Sequence, residues 1–275
     1  MEIGVYHNLT IDRQREPGLF LSDDNGEEVL LPNRYIPENF EIGDSISVFV
    51  YLDNEGRPVA TTDSPFVTKN DFAVLRCNQV NNFGAFLEWG LVKELFCPFK
   101  EQVVKMVKGE WYLVYCYLDE TTNRLVASSK TNQFLNNSVV KVEEGEEVEL
   151  IVSYPSELGM NVIINNEHLG LIFRDEIFKD LSIGDRIKGY IKKIRPDNKI
   201  TVTLQKPGHK SIEPNADHIL TVLKRENGFL PLTDKSSPEK IQSKLELSKK
   251  SFKKAIGTLY KKRLIDLRED GIYLN

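Results

Sequence analysis

Three tandem five-stranded β-barrels of the OB type, followed by a winged helix-turn-helix, form the fold class that the sequence predicts: mainly β, with an α+β tail. Three observations carry this expectation. A block of turn glycine, acidic residue, alternating strand, second turn and short closing strand is written three times. The stretch before each block holds three further short strand patterns and no long helical one. Beyond residue 207 the apolar spacing switches from a period of two to a helical period.

The turn glycines are Gly43, Gly109 and Gly184, followed by Asp44, Glu110 and Asp185. The closing strands are Pro58–Thr61, Leu125–Ser128 and Ile200–Thr203. Successive glycines stand 66 and 75 residues apart, from position 43 to 109 to 184. That period is too long for a solenoid repeat and suits one small barrel per copy. The expected domains are 1–64, 65–135 and 136–207, with the tail domain at 215–275.

In the first copy Ile3–Asp12 alternates as a half-buried strand, and Gly18–Leu21 and Glu28–Pro32 flank a turn ending in Asn25-Gly26, a hairpin signal. The second copy repeats the plan with Asp71–Val80, Phe83–Leu87 and Leu95–Pro98. The third does so with Glu147–Val152, Leu158–Ile164 and Leu169–Phe173. The period changes after Lys206-Pro207-Gly208. Asn215–Lys224 reads as a helix ended near Asn227-Gly228. Ser237 followed by Pro238 is an N-cap with proline at the first helical position. Ser248 caps a third helix, in which Phe252, Ile256, Leu259 and Tyr260 recur at helical spacing. Ile265–Leu274 closes the chain as a hairpin around Asp270-Gly271.

Over 275 residues, 40% hydrophobic and 28% charged residues describe a soluble globular chain. No apolar run approaches the ~18 residues of a membrane span, and the N-terminus has no signal-peptide pattern. Cys77, Cys97 and Cys116 are odd in number, lie in apolar settings and form no Cys-x-x-Cys pair, so buried reduced thiols and a cytoplasmic location are expected. The net charge of −5 is unevenly spread. Residues 1–64 hold 4 basic and 13 acidic side chains, a balance of −9, and the next two domains carry +1 and −2. Residues 208–275 carry +5. The acidic first domain should repel a polyanion and instead pack, space or recruit a protein partner.

Catalysis is not expected. His7, His168, His209 and His218 are scattered without metal-ligand spacing, so neither a metal nor another cofactor is expected. There is no Gly-rich phosphate loop or nucleophile elbow, and Asp23-Asp24 sits in a turn.

Three groups of residues point to single-stranded RNA instead. The first is Phe83-Gly84-Ala85-Phe86, because exposed aromatics on a barrel face stack unpaired bases irrespective of sequence. Alternation puts Phe83 and Ala85 on one face and Phe86 on the other, so either ring could instead fill the barrel. The second group is Lys188, Tyr190 and Lys192, which share the outer face of one strand, with Lys193, Arg195 and Lys199 at the turn beyond. The equivalent faces of the earlier copies, Ser47, Phe49 and Tyr51, then Leu113, Tyr115 and Tyr117, suit packing between barrels. The third group is Lys249, Lys250, Lys253 and Lys254 at the start of the second helix of the helix-turn-helix, the end that meets DNA or RNA first. Lysines there oppose the helix dipole unless an anion binds, and without arginine, asparagine or glutamine they suit phosphate better than base edges.

With Phe83-Gly84-Ala85-Phe86, then Leu95-Phe96-Cys97-Pro98, then Gly109-Glu110 and Asp119 with Arg124, the second copy resembles the RNA-binding domain of ribosomal protein S1. Three S1-like copies and a C-terminal winged helix resemble the conserved virulence factor B family of bacteria. The resemblance implies RNA contacts at Phe83, Phe86, Asp119 and Arg124. It also implies post-transcriptional control of gene expression, including virulence genes in pathogenic members. The third-strand histidine typical of S1-type domains is replaced by Pro32, Pro98 and Phe173, of which Phe173 joins the candidate set. The third copy has Leu158-Gly159-Met160-Asn161 in place of Phe-Gly-Ala-Phe. Two other readings stay open: a DNA-binding transcriptional regulator working through the winged helix, and a ribosome- or nuclease-associated protein scaffold.

Overall fold

The computed structural model describes residues 1–177, 180–206 and 214–275. The expected breakpoint at Pro207-Gly208, and His209, lie outside the described residues. The first barrel is built from β1 (Tyr6–Arg15), β2 (Gly18–Ser22), β3 (Glu28–Pro32), β4 (Ser45–Leu52) and β5 (Pro58–Thr61). The second comprises β6 (Asp71–Val80), β7 (Gly84–Glu88), β8 (Leu95–Pro98), β9 (Trp111–Asp119) and β10 (Arg124–Ser128). The third comprises β11 (Glu147–Pro155), β12 (Gly159–Ile164), β13 (His168–Phe173), β14 (Arg186–Ile194) and β15 (Ile200–Thr203). Each is a closed barrel in which the third strand runs parallel to the fifth and the first pairs with the fourth. That is the strand order of an OB fold.

The repeated glycine has the same task in every copy. Gly43, Gly109 and Gly184 adopt positive φ of 99°, 95° and 92°, which an L side chain rarely tolerates. Their N–H groups donate to the carbonyls of Ile11, Cys77 and Val152. Each of those residues marks the start of a bulge in the long first strand. The bulge bends the strand so that it can belong to both sides of the barrel. A second glycine, Gly18, Gly84 or Gly159, opens each second strand. A Cβ there would lie 2.0, 2.3 or 2.0 Å from the facing carbonyl oxygen of Leu31, Cys97 or Ile172. Only glycine permits this approach. A short 3-10 turn follows each third strand, at Asn33–Tyr35, Phe99–Glu101 and Arg174–Glu176.

On the outer faces of the first two barrels Phe49, Tyr51 and Leu113 are buried and Tyr115 and Tyr117 half-buried, as packing between neighbours requires, while Ser47 is exposed. Phe49 and Tyr51 lie in one apolar cluster with Trp89 and Leu91, and the Phe49 and Trp89 rings meet edge to face at 5.8 Å. Lys93 donates to the carbonyls of Leu52 and Asp53, both at 2.7 Å, across the same junction. Between the second and third barrels, Phe72 and Leu113 pack on Ile151 and Ile163. Arg186 there donates to Asp71 Oδ1 at 3.0 Å and to the Phe72 carbonyl at 2.6 Å. Tyr115 stacks on Phe134, in the linker, at 4.2 Å. Buried His168 holds the same linker further along: its Nδ1 lies 2.6 Å from the Asn136 carbonyl, and its Nε2 accepts the Lys141 N–H. Cys77, Cys97 and Cys116 are free and buried. Burial pushes the Cys97 and Cys116 thiols up to about 12, so neither is a thiolate at neutral pH.

Two expectations need correction. The first strand begins at Tyr6, not Ile3, because Gly4 turns the chain at φ 88° and donates to the Val50 carbonyl. Phe83 lies outside β7, so the alternation that paired it with Ala85 does not reach it.

Residues 205–275 form a separate unit. It holds α1 (Pro214–Arg225), β16 (Phe229–Leu230), α2 (Pro238–Leu245), α3 (Lys249–Lys261), β17 (Ile265–Leu267) and β18 (Ile272–Leu274). Ser237 and Ser248 cap α2 and α3 by accepting the backbone N–H three residues on. The strands form a sheet in the order β16-β18-β17, whose short first strand has no clear signal in the sequence. Ala216, Ile219, Leu223, Ile241, Phe252 and Leu259 form its core. Among the described residues no helix is long and apolar enough to cross a membrane.

Candidate nucleic-acid interface

Register decides what the second barrel displays. β7 and β8 pair Gly84 with Pro98 and Phe86 with Phe96. Because Ala85, Leu87, Leu95 and Cys97 point into the core, Phe86 and Phe96 must point out, and their ring centroids stand 5.1 Å apart. Asn81 Oδ1 accepts the N–H groups of Phe83 and Gly84 at 2.8 and 3.1 Å, a turn that lifts Phe83 clear of the strand to 74% exposure. Phe99 donates its N–H to the Phe83 carbonyl, and Lys105 Nζ stands 6.0 Å over its ring. Four phenylalanines therefore gather on one end of one strand pair. Phe96 and Phe99 were not among the expected site residues. The alternation of Leu95-Phe96-Cys97-Pro98 carries a signal for Phe96, but nothing in the sequence sets Phe99 beside Phe83.

Asp119 and Arg124 face each other in the β9–β10 register. Asp119 accepts from the Thr121 N–H and the Thr122 hydroxyl, both at 3.0 Å. Those bonds, helped by the charge of Lys100, hold its carboxyl below the usual range. It organises the hairpin turn first. Arg124 is exposed and lies against Gly56 of the first barrel, 3.9 Å from where a Cβ on that glycine would sit. Burial, and then the Arg124 charge, push the Lys93 ammonium below its usual range. Arg124 thus belongs to a cationic junction between the first two barrels.

The register also gives the counterparts of Phe86. In the first barrel it is Phe20, paired with Leu30 and covered by the Arg13 guanidinium at 4.3 Å, which is itself ion-paired to Glu28. In the third barrel it is Asn161, paired with Leu171, while half-buried Phe173 stands opposite Gly159.

The basic strand of the third barrel is brought together, but its cations are partnered. Lys188 Nζ lies 2.8 Å from Glu147 Oε1, and the Tyr190 hydroxyl donates to Glu147 Oε2 at 2.8 Å. The Glu147 hydrogen bond raises the pKa of both partners. Lys192 pairs with Glu176 at 2.6 Å. Burial pushes the Glu176 carboxyl up, but hydrogen bonds from Lys192 and Thr203 outweigh it and hold the pKa low. A bulge after Ile191 ends the alternation, so Lys193 follows Lys192 out to solvent. At the turn beyond, Arg195 and Lys199 share Asp197 at 3.2 and 3.3 Å.

In the winged helix, Phe252, Ala255, Ile256 and Leu259 bury one side of α3. Lys250, Lys253 and Lys254 are exposed and Lys249 is half-buried. The first turn of α3 carries no acidic residue, so an anion is favoured there by both the lysines and the helix dipole. Among the described residues no cluster of His, Cys, Asp or Glu could hold a metal ion.

Comparison with known proteins agrees with this layout. An S1 domain matches residues 3–63, and a CvfB-like winged helix domain matches residues 217–274. The chain is 28% identical to YitL of Bacillus subtilis over 95% of its own length and 90% of that protein. It is 27% identical to conserved virulence factor B of Staphylococcus saprophyticus, over 92% of its own length and 88% of that protein. The crystal structure of a multidomain protein with nucleic acid binding domains from Streptococcus pneumoniae aligns with 99% of this chain and 98% of its own, at 23% identity and a TM-score of 0.40. S1 and winged-helix domains are nucleic-acid-binding modules and are typically non-catalytic, so nucleic acid is the ligand class of this chain. Its two ends match those two modules, and proteins named conserved virulence factor B align along nearly all of it, so the chain is similar to that family over most of its length.

Proposed function

We propose that this chain binds single-stranded RNA through its second and third barrels, with the lysines of α3 adding sequence-independent phosphate contacts. The observation that carries this reading is the gathering of Phe83, Phe86, Phe96 and Phe99 on the outside of the second barrel, with Lys105 over one ring. Exposed rings beside a cation serve unpaired bases, which offer a π-face regardless of sequence. The first barrel, with a net charge of −9 over residues 1–64 and its Phe20 ring covered, serves as spacer or protein-docking module. The divisions 1–64, 65–135, 136–207 and 215–275 are the functional units of this scheme. The chain acts without catalysis, in the cytoplasm, after transcription, with virulence genes among its targets in pathogenic bacteria.

The test is fluorescence anisotropy with single-stranded RNA and duplex DNA at several salt concentrations, using the intact chain and one truncated after residue 207. RNA should bind more tightly than duplex DNA, and truncation should weaken binding and flatten its salt dependence. Preference for duplex DNA, carried by the tail alone, would establish a winged-helix DNA regulator instead. Absence of any salt-dependent nucleic-acid affinity would leave a protein scaffold.

A further inference from the structure

Trp111 opens β9 on the same face as Leu113, the face that meets the third barrel. Leu113 is buried in that contact, yet Trp111, two residues away, is 64% exposed. Leaving an indole in water is unfavourable. Across the junction Tyr154 stands near the end of β11, three residues beyond the Ile151 that packs on Leu113, and is 39% exposed. The two aromatics thus flank the open edge of one junction.

Their neighbours give the position a direction. Tyr154 precedes the turn into Gly159, which pairs with Phe173. On the other side, Arg76 pairs in register with Trp111, and its strand β6 runs on toward the Asn81 turn that lifts Phe83. The junction therefore lies between the ring cluster of the second barrel and the Phe173 end of the third. Its charge is balanced: Arg76 and Lys108 are met by Glu88 and Glu110, neighbours of Arg76 and Trp111 in register or sequence. A nearly neutral aromatic site grips a base, not a phosphate.

We infer that Trp111 and Tyr154 form a base-stacking step across the junction of the second and third barrels, over which one RNA strand passes continuously from barrel to barrel. The inference rests on the RNA-binding reading above and names a site outside the phenylalanine cluster.

Tryptophan emission tests it directly, because the other tryptophan, Trp89, is 2% exposed. Intact protein is titrated with an oligouridylate of roughly 20 nucleotides and with one of roughly 6, against OB-fold site sizes of about 4–16 nucleotides. The long probe should quench Trp111, and W89F should retain the quench. W111A should weaken the long probe about tenfold, one stacked base, while leaving the short probe and the salt dependence unchanged. W111F should restore most of the loss, and an unshifted melting temperature should show that W111A folds. RNA binding by the wild type with no quench and no loss in W111A overturns this step alone. Absence of RNA binding by the wild type overturns the RNA-binding reading and this inference with it.

Discussion

The first and second barrels share a strand order, a bulge, two glycine positions and a phenylalanine at the same register position, Phe20 in one and Phe86 in the other. Their surfaces differ. Over Phe20 lies Arg13, neutralised by Glu28, and its cross-strand partner is Leu30. Beside Phe86 lies a second ring, Phe96. The residues that close the barrel are constrained by sub-van der Waals distances and repeat. The residues that meet solvent are constrained only by a ligand and diverge.

The largest expected effect separates these two surfaces. Replacing Phe83 and Phe86 together by alanine removes two stacking rings and should weaken RNA binding about a hundredfold, at roughly 1–3 kcal/mol per base. The matching change Phe20→Ala should leave RNA affinity as it is. Anisotropy titrations of both variants decide it. Equal losses would mean that the first barrel is a binding domain, and no loss in the double variant would remove the phenylalanine cluster from the interface.

The sequence makes the scaffold legible because its constraints are local. Gly43, Gly109 and Gly184 recur where a left-handed turn is needed, and Ser237 and Ser248 recur where helices lack N–H partners. It also makes the inter-barrel role of Phe49, Tyr51 and Leu113 legible, since an outward aromatic face in a tandem array needs cover. The site is legible only in part. Phe83 and Phe86 can be named, but the gathering of Phe99 beside Phe83 depends on a register between strands that no local pattern encodes. Nor does a row of Lys188, Tyr190 and Lys192 reveal that Glu147 and Glu176 sit on neighbouring elements and hold them.

Those carboxylates set the next contrast, between a platform that is open and a basic strand that is self-paired. RNA reaching the third barrel must displace Glu147 from Lys188 and Tyr190. Glu147→Gln should therefore tighten RNA binding about threefold to tenfold and steepen its salt dependence, since each phosphate contact on a single strand adds roughly 0.7 to the slope. Unchanged affinity and slope in Glu147→Gln would take Lys188 and Tyr190 out of the interface.

Acid should act on the same strand through stability. The folded chain holds the Glu176 pKa below its ordinary value of 4.5. Its contribution is therefore fully present above that value and is lost as pH falls through the lower folded pKa. The loss is on the order of 1 kcal/mol for a hydrogen-bonded, largely shielded carboxylate. Denaturant melts below and above pH 4.5, compared between wild type and Glu176→Gln, measure it. The variant should lose less on acidification. An identical acid response in both proteins would assign the loss to other carboxylates.

The smallest expected effect asks what would keep the first barrel from binding RNA. Two causes are available: Arg13 covers Phe20, and residues 1–64 carry a charge of −9. Removing Arg13 and Glu28 together by alanine uncovers the ring and takes away one charge of each sign, so the balance stays at −9. The exposed ion pair itself contributes little to stability, so the barrel should remain folded. If repulsion of the polyanion dominates, RNA affinity should stay within about twofold of wild type, because an uncovered ring still sits in a field that excludes phosphate over a Debye length of about 8 Å. If cover dominates, affinity should rise about fivefold or more, as a third stacking position becomes available. Repeating the titration at raised salt separates the two further: screening should bring out the new stacking contact only where charge had hidden it.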